Sequence, residues 1–214
     1  FAITLLTFNS AKAQLTLLGA SQTATDCSAD GSVVVGYDAT QHFMWTEATG
    51  VMLIGGSAPG GGIGGQTAIS ADGTLISGTR INPSNNLAEL SSYDVGAGQW
   101  TSHGSLGSSS GNSASSAWGI SSDGGTIVGL GWVSAGGAHG IRYTSTEGIV
   151  DLGSTVSGSS SRANTANNDG TIIGGWQDSS TGFRQGAIWT NGVQALITHP
   201  NGDPATEVGT LSDD

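Results

Sequence analysis

Cys27 is the only cysteine in the 214-residue chain, so no internal disulfide can hold it together. For an exported protein that suits bacterial export with little reliance on disulfide staples. Charge is scarce too: 10% of residues are charged, Lys12 is the only lysine, and the net charge is −11. Nucleic acid and anionic membrane surfaces both require a basic footprint, so the composition excludes them as partners. Proline occurs four times, and no long window places apolar residues at i, i+3, i+4 and i+7, which leaves no helix within the body of the chain. After the first residues no apolar run approaches the ~18 residues of a membrane span.

Glycine is abundant instead, at 37 residues, with serine and threonine filling much of the remainder. This composition suits many short strands joined by tight turns. Disorder is the alternative reading of so much glycine. Apolar triplets such as Val33-Val34-Val35 and six tryptophans argue against it, because disordered segments lack such groups.

Residues 1–13 combine an apolar stretch with Ala11-Lys12-Ala13, an A-x-A cleavage pattern. They read as the remnant of a signal peptide, with a buried first strand as the structural alternative. Cleavage after Ala13 would remove Lys12 and leave a mature domain over 14–214.

That domain repeats itself. Asp30-Gly31, Asp72-Gly73, Asp123-Gly124 and Asp169-Gly170 each follow Ser-x or Asn-Asn and precede an apolar strand closed by glycine (Gly36, Gly78, Gly129, Gly174). The aspartates lie 42, 51 and 46 residues apart, and a fifth copy leads to Asp214 after a further 45. Units are expected near 20–62, 63–110, 111–158 and 159–204, with a fifth starting near 205.

Each unit then carries an aromatic strand and an outer apolar strand. Examples are His42-Phe43-Met44-Trp45 before Val51-Met52-Leu53-Ile54, and Ala187-Ile188-Trp189 before Val193 to Ile197. One unit is therefore expected to be four antiparallel strands, with Asp-Gly forming a type I′ hairpin turn. Four-stranded units of this length that cannot bury their faces alone predict an all-β fold, a β-propeller of four-stranded blades. The chain would hold about four blades plus partial ones, with residues 14–19 as an orphan outer strand. A β-sandwich or solenoid is the competing architecture.

The motifs Asp30-Gly31-Ser32-Val33-Val34-Val35-Gly36, His42-Phe43-Met44-Trp45-Thr46 and Ile54-Gly55 resemble the bacterial extracellular HAF repeats. Ala138-His139-Gly140-Ile141 and Gln185-Gly186-Ala187-Ile188-Trp189 are weaker echoes, the second without its histidine. The resemblance covers most of residues 20–214. It implies an exported, propeller-like bacterial protein, sometimes joined to an autotransporter barrel or a sorting signal, with no agreed activity.

The recurrent aspartates and glycines read as turn residues rather than catalysts, and no catalytic or cofactor-binding residue is assigned. Calcium could bind where oxygens crowd a loop, as at Asn167-Asn168-Asp169 or Asp178-Ser179-Ser180, but neither has a known calcium-loop spacing. Ser-x-Asp-Gly is one residue short of the sialidase Asp box, and the four arginines fall at different repeat positions. His42 and His139 read as one repeat position with a structural role, and His103 and His199 form no metal motif with them. The glycines of 60–65 read as a flexible loop between blades. Trp45, Tyr143 and Trp189 are expected to pack between blades. Trp132 and Trp176 follow strand-closing glycines and are the candidate ligand contacts, since exposed tryptophan can stack on sugar rings. The expected function is non-enzymatic recognition of an extracellular protein or polysaccharide, secreted or at the cell surface. A sialidase-like glycan hydrolase and an autotransporter passenger are the alternatives.

Overall fold

The computed structural model describes residues 18, 21–58, 64–134 and 137–212. The expected signal peptide, all but one residue of the orphan strand at 14–19, most of the 60–65 loop, and Asp214 lie outside these.

The described residues form sixteen strands in four antiparallel sheets, each in sequential order. The first sheet holds β1 (Thr23–Cys27), β2 (Val33–Tyr37), β3 (His42–Thr46) and β4 (Gly50–Gly55). The second holds β5 (Ala68–Ile69), β6 (Leu75–Asn82), β7 (Leu87–Asp94) and β8 (Gln99–Gly104). The third is β9 (Ser115–Ile120), β10 (Ile127–Ser134), β11 (Gly137–Thr144) and β12 (Gly148–Gly153). The fourth is β13 (Ser161–Ala166), β14 (Ile172–Asp178), β15 (Arg184–Thr190) and β16 (Val193–Leu196). The first strands of successive sheets lie against one another, so each sheet is a blade whose first strand is innermost.

No blade has a core of its own. Val35, Met44 and Ile54 of the first blade pack on Ile69, Ile76 and Tyr93 of the second. Leu90 of the second meets Ile127 and Ile141 of the third, and Val128 and Leu152 of the third meet Ile173 and Trp189 of the fourth. The apolar runs that break period-two alternation have both faces covered for this reason. Trp45, Tyr93, Tyr143 and Trp189 share one register position, each two residues beyond the partner of the closing glycine. Trp189 is fully buried and its Nε1 donates to the Leu152 carbonyl of the preceding blade at 3.0 Å.

The Asp-Gly turn differs from the expected type I′ geometry. Only the glycines have positive φ: Gly31 at 70°, Gly73 at 74°, Gly124 at 74° and Gly170 at 71°. The Gly31 amide donates to the Ser28 carbonyl at 2.9 Å, so Ala29 and Asp30 occupy the middle of the turn. Side chains complete it. Asp30 Oδ1 accepts the Ser28 hydroxyl at 2.7 Å and the Ser32 amide at 2.9 Å, and Ser28 Oγ accepts the Val33 amide at 3.0 Å. Ser70 with Asp72 and Ser121 with Asp123 repeat the bond at 2.6 Å each. Asn167 replaces serine in the fourth blade and accepts the Ile172 amide at 2.9 Å. The motif is thus a four-residue loop in which serine and aspartate oxygens stand in for backbone acceptors.

These turns also join the blades. The Ala29 amide donates to the Ala71 carbonyl, Ala71 to Ser122, and Asp123 to Asn168, at 2.9, 2.8 and 3.1 Å. One turn therefore fixes both its own hairpin and its neighbour. Ser121 is fully buried, and Ser121→Ala would leave the Thr126 amide, now 2.9 Å from Ser121 Oγ, without its acceptor. The expected cost is about 1–3 kcal/mol, read as a lower urea midpoint at unchanged slope.

His42 and His139 are not equivalent. Phe43 pairs with Gly36 and Ile141 with Gly129, which aligns His42 with Gly140 and sets His139 one residue out of step. A one-residue offset reverses the face of a strand. His42 accordingly lies buried between blades, with Nδ1 2.6 Å from Thr67 Oγ1 and Nε2 3.0 Å from the Thr79 carbonyl, whereas His139 faces outward and meets Asp151 at 2.9 Å. Burial lowers the pKa of His42. Desolvation also pulls His103, stacked on Tyr143 at 3.8 Å, down to about 4.

Both histidines are thus held neutral in the fold while the unfolded chain binds their protons near pH 6.5. Stability is expected to fall as pH drops from about 6.5 to about 4, before carboxylates protonate. Asp30, held at about 2 chiefly by the Ser32 amide, adds a loss only below its unfolded pKa. Thermal melts of wild type and His103→Phe across this range check the assignment: the variant should lose part of the early phase and keep the late one.

Candidate functional site

Each long inner strand carries a bulge at the same place. Pairing slips between Ala24 and Asp26, between Ala117 and Gly119, and between Ala163 and Thr165. The extra residues are Thr25, Trp118 and Asn164, each five before the turn aspartate. Opposite each bulge sits the strand-closing glycine, Gly36, Gly129 or Gly175, where a Cβ would collide with the Thr23, Ser116 or Arg162 carbonyl. In the fourth blade this places the closing glycine at Gly175, one beyond the expected Gly174. A bulge re-aims a side chain, and here it turns all three toward the axis, where they line one cavity of about 330 Å³.

The cavity is walled by inner strands of all four blades and by residues 207–210. The Val208 amide donates to the Gly175 carbonyl at 3.0 Å, which docks the beginning of the fifth copy onto the fourth blade. Arg162 is the central charge. Its guanidinium lies 3.6 Å from the centroid of the Trp118 ring, within cation–π distance. Its Nε donates to Asn164 Oδ1 at 2.7 Å, and Asn164 Nδ2 donates to the Val208 carbonyl at 2.9 Å. Its Nη2 is 3.7 Å from Glu207, beyond hydrogen-bond range. The side chain is 13% exposed, and desolvation lowers its pKa to about 10, still charged at neutral pH.

Asp26 also lines the cavity, but its oxygens are occupied. Oδ2 accepts the Ile69 amide of the next blade at 2.9 Å and Oδ1 the Cys27 amide at 2.8 Å. Burial raises its pKa while those amides oppose the shift. It works as a strap between the first two blades.

The turn aspartates lie away from this cavity, spent on their own loops. Trp176 is 5% exposed, with Arg184 and Arg162 4.2 and 5.2 Å from its centroid. Arginine takes a face of Trp118 as well, but Trp118 is half-buried on the cavity wall whereas Trp176, at 5% exposure, has no open face left for a sugar ring. Trp132 is half-buried on β10. Among the described residues no group of three or more His, Cys, Asp or Glu could hold a metal ion. At Asn167–Asp169 the Asp169 carboxylate accepts the Thr171 amide at 3.1 Å, so that oxygen serves the turn. Sequence reasoning missed Thr25, Trp118, Asn164 and Arg162. For the first three the available signal was the residue five before the turn aspartate, which varies between copies; in the second blade the same position is the buried Thr67, and nothing in the repeat singles out Arg162.

Stacked four-stranded blades around an axial cavity define a β-propeller, and comparison with solved structures agrees. The chain is similar to TolB from Acinetobacter baumannii at 19% identity and TM-score 0.60, covering 84% of this chain and 43% of that one. It is similar to a putative TolB from Agrobacterium tumefaciens at 16% identity and TM-score 0.60, covering 83% and 61%. A prolyl endopeptidase matches at 12% identity and TM-score 0.51, over 85% of this chain and 30% of that chain. The chain thus spans about half the length of the TolB proteins, and at these identities the likeness shows the fold alone. No protein-family model and no curated protein matches the sequence. Among the described residues no helix is long and apolar enough to cross a membrane.

Proposed function

We propose that this propeller is an exported recognition module, of the HAF-repeat kind, whose ligand enters the axial cavity at the ring of bulged residues. The observation that carries this reading is the division of labour within the repeat. Ser or Asn, Asp and Gly recur because they build turns and seams, while the position five residues before the aspartate varies: Thr25, Trp118 and Asn164 face one cavity, and Thr67 of the second blade is buried against His42 instead. A rigid scaffold that varies only its convergent side chains is organised to select a ligand. The hydrolase alternative would need free acids there. Of the two carboxylates that line the cavity among the described residues, Asp26 already accepts two backbone amides and Glu207 stands between two arginines, which favours recognition.

Arrays of bacterial glycans and peptides, probed with wild type, Trp118→Ala and Trp132→Ala, test it. Loss of the wild-type signal in Trp118→Ala with retention in Trp132→Ala is the expected result. The reverse pattern would move the site to the rim and overturn the channel reading.

A further inference from the structure

Arg162 is provided for unevenly. A guanidinium has five N–H donors. Among the described residues Nε alone has a hydrogen-bond acceptor within 3.0 Å, Asn164, and the charge is offset by a carboxylate at 3.7 Å. Burying a charge is costly unless it is paired and hydrogen-bonded. Arg184, the next cation, stands 3.8 Å from the same Glu207, so two guanidinium groups share one acid. The outer fork of Arg162, on the cavity wall, matches the planar, bidentate geometry of a carboxylate.

The rest of the wall says what carries that carboxylate. Gln66 presents an amide and Thr25 and Thr210 present hydroxyl oxygens, Thr25 Oγ1 already donating to the Thr67 carbonyl at 2.6 Å and the Asn164 amide being bonded at both ends; Trp118 supplies an aromatic ring, and among the described residues Ala68 and Ile120 are the only aliphatic side chains on the wall. Such a wall offers hydrogen bonds to a polyhydroxylated ring and no apolar socket for a peptide side chain. A volume of about 330 Å³ is at the small end of ligand sites. With a net charge of −11 the chain repels polyanions at long range. The attraction is therefore local and suits one carboxylate, not a run of them.

We infer that the cavity binds an acidic sugar, a saccharide unit bearing one carboxylate, which pairs with the Arg162 fork beside Trp118. The inference rests on the channel-recognition reading above and narrows its ligand class.

Titration calorimetry of the full chain with a disaccharide carrying one glucuronate, and with its carboxyl-reduced neutral counterpart, tests it. The acidic form should bind at least about tenfold tighter than the neutral one, the scale of one charge-assisted pair. Arg162→Gln should remove that difference. Glu207→Gln, which deletes the competing carboxylate, should tighten the acidic disaccharide and so tests the idea even if Arg162→Gln unfolds. Equal binding of both disaccharides, or a Glu207→Gln variant that binds no tighter, overturns the carboxylate assignment. A glutamate-containing tripeptide that binds more tightly than the disaccharide overturns the saccharide assignment. Either failure leaves the channel reading standing if Trp118→Ala still abolishes the array signal.

Discussion

Trp189→Ala is expected to destabilise the protein by about 3–5 kcal/mol, the range for removing a large aromatic from a packed interior. The side chain is fully buried between the third and fourth blades, against Val128, Leu152 and Ile173. Its loss opens a cavity in the apolar cluster at that seam, and it leaves the Leu152 carbonyl, now 3.0 Å from Nε1, without that donor. Phenylalanine at the same position keeps most of the apolar contact and gives up the hydrogen bond, so Trp189→Phe should recover more than half of the loss. Val193, 73% exposed on β16, is the control. Val193→Ala should change stability by less than about 0.5 kcal/mol. Urea unfolding of the three variants separates these values.

Gly129→Ala should be comparably damaging for the opposite reason. Its backbone is not in the left-handed region, so conformational freedom is not what requires glycine there. The obstacle is the bulge on β9: an added methyl would run into the Ser116 carbonyl and come within 3.2 Å of the Ala117 Cα. Backbone cannot move aside as a flexible side chain would. Overpacking of this kind costs about 1–3 kcal/mol or more, and the bulge is the element that would relax. The variant should therefore also shift the resonances of Trp118, the residue the bulge aims, which a simple loss of stability would not do.

The fold was legible because the repeat is written at several levels at once. Ser-x-Asp-Gly marks a turn, the apolar triplet marks a strand covered on both faces, and Trp45, Tyr143 and Trp189 recur in register with them. A short signal with one physical use survives divergence well, and four copies corroborate one another. Two details escaped. The type I′ turn was inferred from Asp-Gly alone, whereas the serine two residues earlier supplies the side-chain oxygen that makes a longer loop stable. His42 and His139 looked equivalent because both precede an aromatic strand, and only strand pairing reveals the one-residue offset that sends them to opposite faces.

The candidate site was far less visible. Bulges depend on an extra residue without a partner, and composition says nothing about pairing. Tryptophans were ranked by their distance from closing glycines, which selected Trp132 and Trp176. Trp118 flanks a turn as they do but follows no closing glycine, so that ranking leaves it out although the bulge turns it to the axis. Arg162 was discounted because the arginines occupy different repeat positions. In a binding channel that irregularity is informative, since a scaffold repeats and a ligand-contacting side chain does not.

The central claim is that side chains at one bulged position converge on the axis and meet the ligand there. Chemical-shift mapping of the isotope-labelled chain, titrated with the glucuronate-bearing disaccharide, tests it most directly. The account predicts that the indole of Trp118, the Arg162 side chain and the amides around Thr25 and Asn164 shift together and saturate at one affinity, while the Asp30, Asp72, Asp123 and Asp169 turns stay fixed. Shifts centred on Trp132 and the outer strands, with the Trp118 indole unmoved, would contradict it.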